Sequence, residues 1–179
     1  MDVREAEAVS RGKIIHGKNK GESETVVRTQ PELLAAVEAR WGSLTWDLAA
    51  LPENAVADKY ITPWEDSLAP HTEWPLDELP WLNPPYDDIT PWVRKCDGYH
   101  RAYGPRFEAL LLIPAAIGSR WYADHCFNKC ETIPLMGRPQ FLGYGNGAAT
   151  DHMILHYGGS DNQLTMLEPW DWMSAWARI

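Results

Sequence analysis

Trp81-Leu82-Asn83-Pro84-Pro85-Tyr86 is the stretch on which the predicted fold and site depend. Its first two residues are large and apolar, which predicts a buried strand. The two prolines end that strand, because a proline has no N–H to donate to a sheet ladder. The strand therefore delivers the amide side chain of Asn83 to a stiff loop, with the free backbone carbonyl of Pro84 beside it.

An amide oxygen next to a fixed carbonyl can accept both hydrogens of a planar amino group, and Tyr86 offers a face on which a base can stack. An exocyclic amine is a poor nucleophile because its lone pair is delocalised into the ring. Acceptors on its hydrogens localise that pair on nitrogen as attack develops, so they act mainly in the transition state. The stretch predicts a site for an exocyclic amine. The alternative is a turn that only ends a strand, since Pro and Asn are common in loops.

Length and composition predict one soluble globular domain. The chain has 179 residues, of which 45% are hydrophobic and 23% charged, and no apolar run approaches the roughly 20 residues of a membrane span. Residues 1–10 are charged and have no apolar core of a secretory signal, and three cysteines do not make a complete set of internal disulfides. We therefore expect a cytoplasmic protein, with no membrane partner.

The charge distribution excludes a generally basic nucleic-acid binder but leaves room for a local contact. The net charge is -9, whereas residues 11–20 hold four Lys or Arg side chains and no acid. Residues 1–27 lack periodicity and predict a flexible arm, followed by a single folded domain at 28–179. Lys18 and Lys20 could follow a phosphate backbone. Otherwise the arm is a solvated tail.

Strands and helices alternate along the rest of the chain, which predicts an α/β fold with a mostly parallel, Rossmann-like sheet and an antiparallel C-terminal end. The predicted strands are residues 44–50, 58–62, 81–82, 107–113, 132–136, 151–157 and 164–167. The predicted helices follow Thr29 as far as Gly42, and span residues 89–103 and 119–127. Residues 63–79 predict a loop over the site.

Three further features have competing interpretations. Residues 138–150 are rich in Gly and Asn and predict either a target-recognition loop or a plain surface connection. His152 and His156 alternate with apolar residues and are expected on the polar face of a strand, with involvement in the base site as the alternative. Cys126 and Cys130 lie near His125, but no second ligand pair accompanies them, so we expect no metal site.

Taken together, these motifs resemble phage and prophage DNA N-6-adenine methyltransferases of the Dam family, which are S-adenosylmethionine-dependent amino methyltransferases with an Asn-Pro-Pro-Tyr motif. The residues that carry the resemblance are Thr29-Gln30-Pro31, residues 44–50 with Asn54-Ala55, Glu65-Asp66-Ser67-Leu68, residues 81–86 with Ile89 and Trp92, Leu112-Ile113-Pro114-Ala115 with Arg120-Trp121, and Gly137-Arg138 with Phe141.

The resemblance implies a class I methyltransferase sheet and methylation of the adenine N6 amine in double-stranded DNA, without a metal. The catalytic residues it implies are Asn83, Pro84, Pro85 and Tyr86. The cofactor-binding residues it implies for S-adenosylmethionine are Thr29, Pro31, Asp47, Ala49, Asn54, Asp66 and Asn83. The candidate DNA-binding residues are Lys18 and Lys20 of the basic arm, Phe141 and Tyr144 of the loop at 138–150, and the arginines Arg120 and Arg138.

The chain departs from many larger methyltransferases because no glycine-rich loop follows its first strand. Asp47 also has a structural interpretation as a helix cap, and Asp66 as a loop cap. Two other functions remain open. One is methylation of a glutamine amide or an RNA amine, and the other is a noncatalytic protein of the same fold that binds the cofactor or a DNA-handling partner.

Overall fold

A computed structural model describes residues 28–142, 150–158 and 168–179 of the chain. The strands in these ranges are β1 Arg28–Thr29, β2 Trp46–Asp47, β3 Lys59–Tyr60, β4 Pro80–Leu82, β5 Ala109–Pro114, β6 Glu131–Pro134, β7 Phe141–Leu142 and β8 His152–Tyr157. The helices are α1 Pro31–Trp41, α2 Thr90–Tyr103, α3 Arg120–His125 and α4 Trp172–Trp176, with a 3-10 turn at Gly104–Arg106.

Six of these strands form one mixed sheet in the order β3-β2-β4-β5-β8-β6. The pairings β2 with β3, β2 with β4 and β4 with β5 are parallel, whereas β8 runs antiparallel to both β5 and β6. The predicted α/β class, with a mostly parallel sheet and an antiparallel C-terminal end, is confirmed. β1 and β7 form a separate antiparallel ribbon in which Thr29 faces Phe141.

Each face of the sheet is covered by helices, so the central strands are buried on both sides. On one face, α2 and α3 pack Val93, Cys96 and Tyr122 against the sheet. On the other face, α1 contributes Leu33 and Val37, and α4 contributes Trp172. β5 is the centre of this arrangement, because its residues from Ala109 to Ile113 are fully buried. The apolar run at 109–113, inside the strand predicted at 107–113, indicated this interior strand.

The helix predictions agree with the structure to within a few residues. α1 starts at Pro31, whose fixed φ suits the first helical turn, and it ends where Gly42 adopts a φ of 105°. Ser119 accepts the N–H of Tyr122 and so caps α3. α2 begins at Thr90 after Ile89 and has no side-chain cap.

Two sequence predictions need correction. β2 is regular only at Trp46–Asp47 and not over residues 44–50, because the Asp47 carboxylate accepts the N–H of Ala49 and turns the chain. His152 and His156 do not lie on a solvated face, since they are 2% and 7% exposed. All six residues of β8 are buried, so both of its faces are covered, and its two edges pair with β5 and β6.

Several predicted segments fall outside the described residues. These are the arm at 1–27, most of the recognition loop, and the strand at 164–167. Conversely, β1, β7 and α4 were not predicted from sequence. No helix within the described ranges is long and apolar enough to cross a bilayer.

Candidate active site

The candidate site lies where three neighbouring parallel strands end. Leu82 pairs with Leu111, so Asn83 emerges from β4 beside Leu112 of β5. On the other side, Asp47 at the end of β2 pairs with Trp81. The sheet order reverses between β2 and β4, since β3 extends the sheet in one direction and β5 in the other. Ligands of open α/β sheets bind at the carboxyl ends of the strands flanking such a switch point.

Asn83 is held through both ends of its amide. Its Nδ2 donates to Oγ1 of Thr29 across 3.2 Å, and its Oδ1 accepts the hydroxyl of Tyr86 at 2.7 Å. Asn83 is half-buried, the following Pro84 is buried, and Pro85 is exposed. The strand end therefore presents an oriented amide oxygen, as the sequence predicts for this position.

Tyr86 lies folded into the protein against the end of the sheet. Its hydroxyl is also 3.2 Å from the backbone carbonyl oxygen of Leu112, and its ring centroid is 6.3 Å from that of Phe141 and 5.5 Å from that of His152. Burial raises the pKa of the Tyr86 phenol, so the group is a neutral donor. The aromatic face predicted to stack on a base is thus engaged by two other rings in this conformation.

His152 is a member of this aromatic cluster that sequence analysis assigned to a solvated strand face. Its Nδ1 lies 2.9 Å from the backbone carbonyl oxygen of Thr150, and its ring is 5.2 Å from Phe141. Burial lowers the pKa of His152, which makes the neutral ring with a proton on Nδ1 the form that fits this contact. Within the described ranges, its buried Nε2 has no hydrogen-bond partner.

Asp47 organises the loop that follows β2. Its two carboxylate oxygens accept the backbone N–H groups of Ala49 and Val56, each at 3.2 Å. The residue is 4% exposed, and burial raises its pKa to about 6 although both hydrogen bonds oppose the shift. A helix cap is excluded as its role, because no helix follows β2. A cofactor contact for Asp47 stays a prediction.

The other predicted cofactor residues surround this edge of the sheet. Ala49 and Asn54 belong to the loop after β2, where Asn54 Oδ1 accepts the N–H of Leu51 at 2.7 Å. Pro31 is exposed at the start of α1. Asp66 lies in the β3–β4 loop and accepts the N–H of Leu68 at 3.0 Å, which is the loop-cap geometry given as its alternative.

The predicted DNA-binding residues are divided between described and undescribed segments. Lys18, Lys20 and Tyr144 lie outside the described residues. Arg120 is exposed on α3 and pairs with Asp124 at 2.8 Å, while Arg138 pairs with Asp151 at 3.0 Å. Of the three described residues in this set, Phe141 is the one whose ring lies close to the ring of Tyr86.

A cavity of about 400 Å³ opens beside the end of β5, next to the aromatic cluster. It is lined by Pro114, Ala115, Ala116, Arg138, Thr150 and Asp151. The three cysteines are buried and free, and no cluster of three or more potential metal ligands occurs within the described ranges.

The sheet order and the residues gathered at the switch point define a Rossmann-like α/β protein with a candidate site at the carboxyl ends of its parallel strands. A sequence model of the DNA N-6-adenine-methyltransferase (Dam) family matches residues 17–155, more than three quarters of the chain. The chain therefore belongs to the Dam family of DNA N-6-adenine methyltransferases.

A curated relative extends this comparison. The DNA N-6-adenine-methyltransferase of Escherichia phage T1 is 29% identical over 105 residues, which cover 59% of this chain and 42% of the phage protein. The matched region thus spans less than half the length of that relative.

Proposed function

We propose that the chain is an S-adenosylmethionine-dependent methyltransferase that modifies the N6 amine of adenine in double-stranded DNA. The observation that carries the proposal is the Asn83 amide, whose nitrogen is bound by Thr29 and whose oxygen faces Tyr86 at the end of β4. Membership of the Dam family supports DNA adenine as the acceptor.

The residues around the switch point fit a nucleoside cofactor. The loop after β2 carries the small side chains Ala49 and Ala50, and the Asp47 carboxylate fixes its backbone from inside. A ligand can approach such a backbone closely. We assign S-adenosylmethionine to this edge, held by the Asp47–Asn54 loop together with Thr29, Pro31, Asp66 and Asn83. When bound, the cofactor supplies an electrophilic methyl group on a sulfonium sulfur.

Asn83 and Pro84 prepare the amine for this electrophile. The Asn83 Oδ1 and the Pro84 carbonyl would accept the two amine hydrogens, which localises the nitrogen lone pair as the new carbon–nitrogen bond forms and the methyl–sulfur bond breaks to leave a neutral thioether. The alkylated nitrogen is strongly acidic and loses one proton, either through its hydrogen bond to Asn83 or to water. This assignment uses no dedicated general base.

Tyr86 has to give up its hydrogen bond before this arrangement can form. Its hydroxyl occupies the Asn83 oxygen that the amine requires, and its ring is turned against Phe141 and His152. We infer that an adenine flipped out of the duplex displaces the hydroxyl and stacks on the ring, with Pro85 stiffening the loop between them.

DNA contacts are assigned to the residues that flank this pocket. Phe141 belongs to the aromatic cluster and Arg138 lines the adjoining cavity, and we assign Tyr144, three residues after Phe141 in sequence, to the same contact. Arg120 and Arg138 exchange their carboxylate partners for phosphates when DNA binds, while Lys18 and Lys20 contribute from the arm. Because the net charge is -9, we expect few phosphate contacts and a modest dependence of affinity on salt.

The test is transfer of labelled methyl groups from S-adenosylmethionine to DNA, RNA and protein, with nucleoside analysis of the DNA for N6-methyladenine. We expect methyladenine with the wild type and a loss of about 100-fold or more in kcat for Asn83→Ala, because an acceptor used in the transition state is removed. Cofactor affinity should change by less than about tenfold.

Two controls make this result interpretable. The melting temperature of Asn83→Ala should stay near that of the wild type, since Asn83 is only half-buried. Transfer to RNA or to a glutamine amide but not to DNA would replace the proposed substrate. Near-wild-type turnover by Asn83→Ala would remove Asn83 from the mechanism.

A further inference from the structure

Thr29 is joined to the candidate catalytic amide by a contact that spans 54 residues of sequence. Its hydroxyl lies 3.2 Å from the Nδ2 of Asn83, and the residue is only 6% exposed. Thr29 comes from a segment distant from Asn83 in sequence. Because its buried hydroxyl binds the half-buried amide of Asn83, it restricts how that amide can rotate.

The position of Thr29 is fixed on both sides. On the N-terminal side, Thr29 belongs to β1, which pairs with β7 so that Thr29 faces Phe141. On the C-terminal side, the backbone carbonyl of Gln30 accepts hydrogen bonds from the first turn of α1, and its side-chain oxygen accepts the N–H of Gln140. α1 is itself anchored, because Leu33 and Val37 are fully buried. The hydroxyl is therefore presented by a rigid part of the fold.

The orientation of the amide decides whether it can accept an amine. One end of the Asn83 side chain is an acceptor and the other is a donor of two hydrogens. An exocyclic amine offers hydrogens, so it requires the oxygen, which leaves the NH2 group directed at Thr29. An acceptor is needed there, because a poorly solvated NH2 without a partner is unfavourable.

We propose that Thr29 is a positioning residue, whose hydroxyl accepts from Asn83 and thereby keeps the amide oxygen directed at the target amine. This inference rests on the proposed function and adds a residue to it that acts through Asn83. It places the β1–β7 ribbon, which lies far from β4 in sequence, in the organisation of the active site.

The experiment compares Thr29→Val, which keeps the branched shape but lacks the hydroxyl, with Thr29→Ser, which keeps the hydroxyl. We expect Thr29→Val to lower kcat by about tenfold, the effect of one lost hydrogen bond. Its KM for DNA and its melting temperature should stay close to wild type, and any loss of S-adenosylmethionine affinity should be smaller than the loss of kcat measured at saturating cofactor. Thr29→Ser should restore most of kcat.

Two further readouts separate positioning from a general structural role. In an Asn83→Ala background, Thr29→Val should cost little more, since the amide it orients is gone. In NMR spectra, the side-chain amide signals of Asn83, assigned by their loss in Asn83→Ala, should move in Thr29→Val and hold in Thr29→Ser.

Each outcome has a distinct meaning. Wild-type kcat and unmoved amide signals in Thr29→Val overturn the inference. A loss of cofactor affinity with unchanged kcat overturns it as well and assigns Thr29 to cofactor binding alone. If the wild type methylates no DNA, the proposed function fails, and the NMR comparison still decides whether Thr29 orients the amide.

Discussion

At the scale of single residues, Tyr86 combines a ring suited to stacking with a hydroxyl that occupies the Asn83 oxygen proposed to accept the target amine. Tyr86→Phe removes the competing hydrogen bond to Asn83 and keeps the ring. We expect this variant to bind target DNA at least as tightly as wild type and to retain kcat within about tenfold.

Tyr86→Ala is the matched variant that also loses the ring. Base–aromatic stacking is worth about 1–3 kcal/mol, so kcat/KM should fall by roughly one to two orders of magnitude. Steady-state kinetics on one duplex checks both variants. Equal impairment of the two would assign the essential role to the hydroxyl and contradict the stacking assignment.

Gly158 is required by its backbone and its surroundings. Its φ is 114°, and an added Cβ would lie 2.9 Å from the Cα of Glu108. We expect Gly158→Ala to lower the free energy of unfolding by about 1–3 kcal/mol. Gly98→Ala is the control, because Gly98 lies in α2 with nothing within 4 Å of a built Cβ. That change should stabilise the protein by about 0.5–1 kcal/mol, as measured by denaturant titration.

Residue chemistry was predictable from sequence where a motif fixed it. The Asn-Pro-Pro-Tyr stretch predicted the end of the strand and the amide side chain placed there, because proline and asparagine have strong local preferences. The sequence did not predict that other residues would contact this amide and its neighbouring tyrosine. Thr29 and His152 reach the site through pairing between distant segments, which leaves no periodic signal along the chain.

At the scale of elements, His156 links three strands through their side chains. From β8 it contacts Glu131 of β6 at 3.2 Å and Glu108, just before β5, at 2.8 Å. Burial alone lowers the pKa of His156, but the hydrogen bonds to these two carboxylates outweigh it and raise the pKa above its ordinary value. The imidazolium is thus favoured in the folded state.

The stabilisation from this link should depend on pH. Because the folded-state pKa of His156 is raised, its contribution is complete below the unfolded pKa of about 6.5 and is lost as pH rises through the folded value. We expect His156→Gln to be less stable than wild type by about 1–2 kcal/mol at pH 6, with the difference shrinking toward pH 9.

Denaturant titrations at several pH values provide this measurement. The control is His71→Gln, an exposed histidine in the β3–β4 loop, whose stability profile should follow that of wild type. A constant difference between His156→Gln and wild type over the whole range would exclude the charged link.

Helices and strands were predictable from sequence where the pattern of apolar residues was long. β5 is a continuous apolar run and α1 and α2 have helical spacing, so all three were found. β1 and β7 have two residues each and exist only as partners of one another. β2 was predicted too long, because the local hydrogen bond from the Ala49 N–H to the Asp47 carboxylate turns the chain, and the apolar pattern does not reveal that turn.

At the scale of the whole molecule, residues 168–179 pack against the first helix. Trp172 of α4 is 3% exposed in the core on the α1 side of the sheet, and Trp170 meets Trp41 of α1 with ring centroids 5.3 Å apart. The Arg40 guanidinium lies close to both rings, with its carbon 4.6 Å from the Trp41 centroid and 5.1 Å from the Trp170 centroid. This segment joins two distant parts of the sequence.

Replacing the buried tryptophan tests how far the fold depends on this packing. We expect Trp172→Ala to lower the free energy of unfolding by about 3–5 kcal/mol, as for other buried aromatic truncations. Trp176→Ala, on the same helix but 44% exposed, should cost less than about 1 kcal/mol. Chemical denaturation of both variants gives the comparison, and equal effects would mean that α4 is not anchored through Trp172.

The packing of α4 on α1 also has a consequence for protein synthesis. α1 is translated about 130 residues before α4, the helix that packs against it. During that interval Trp41 has no Trp170 ring to contact. Chaperones that bind exposed apolar segments of nascent chains therefore have a defined interval in which to act on α1. That interval closes only when α4 has left the exit tunnel.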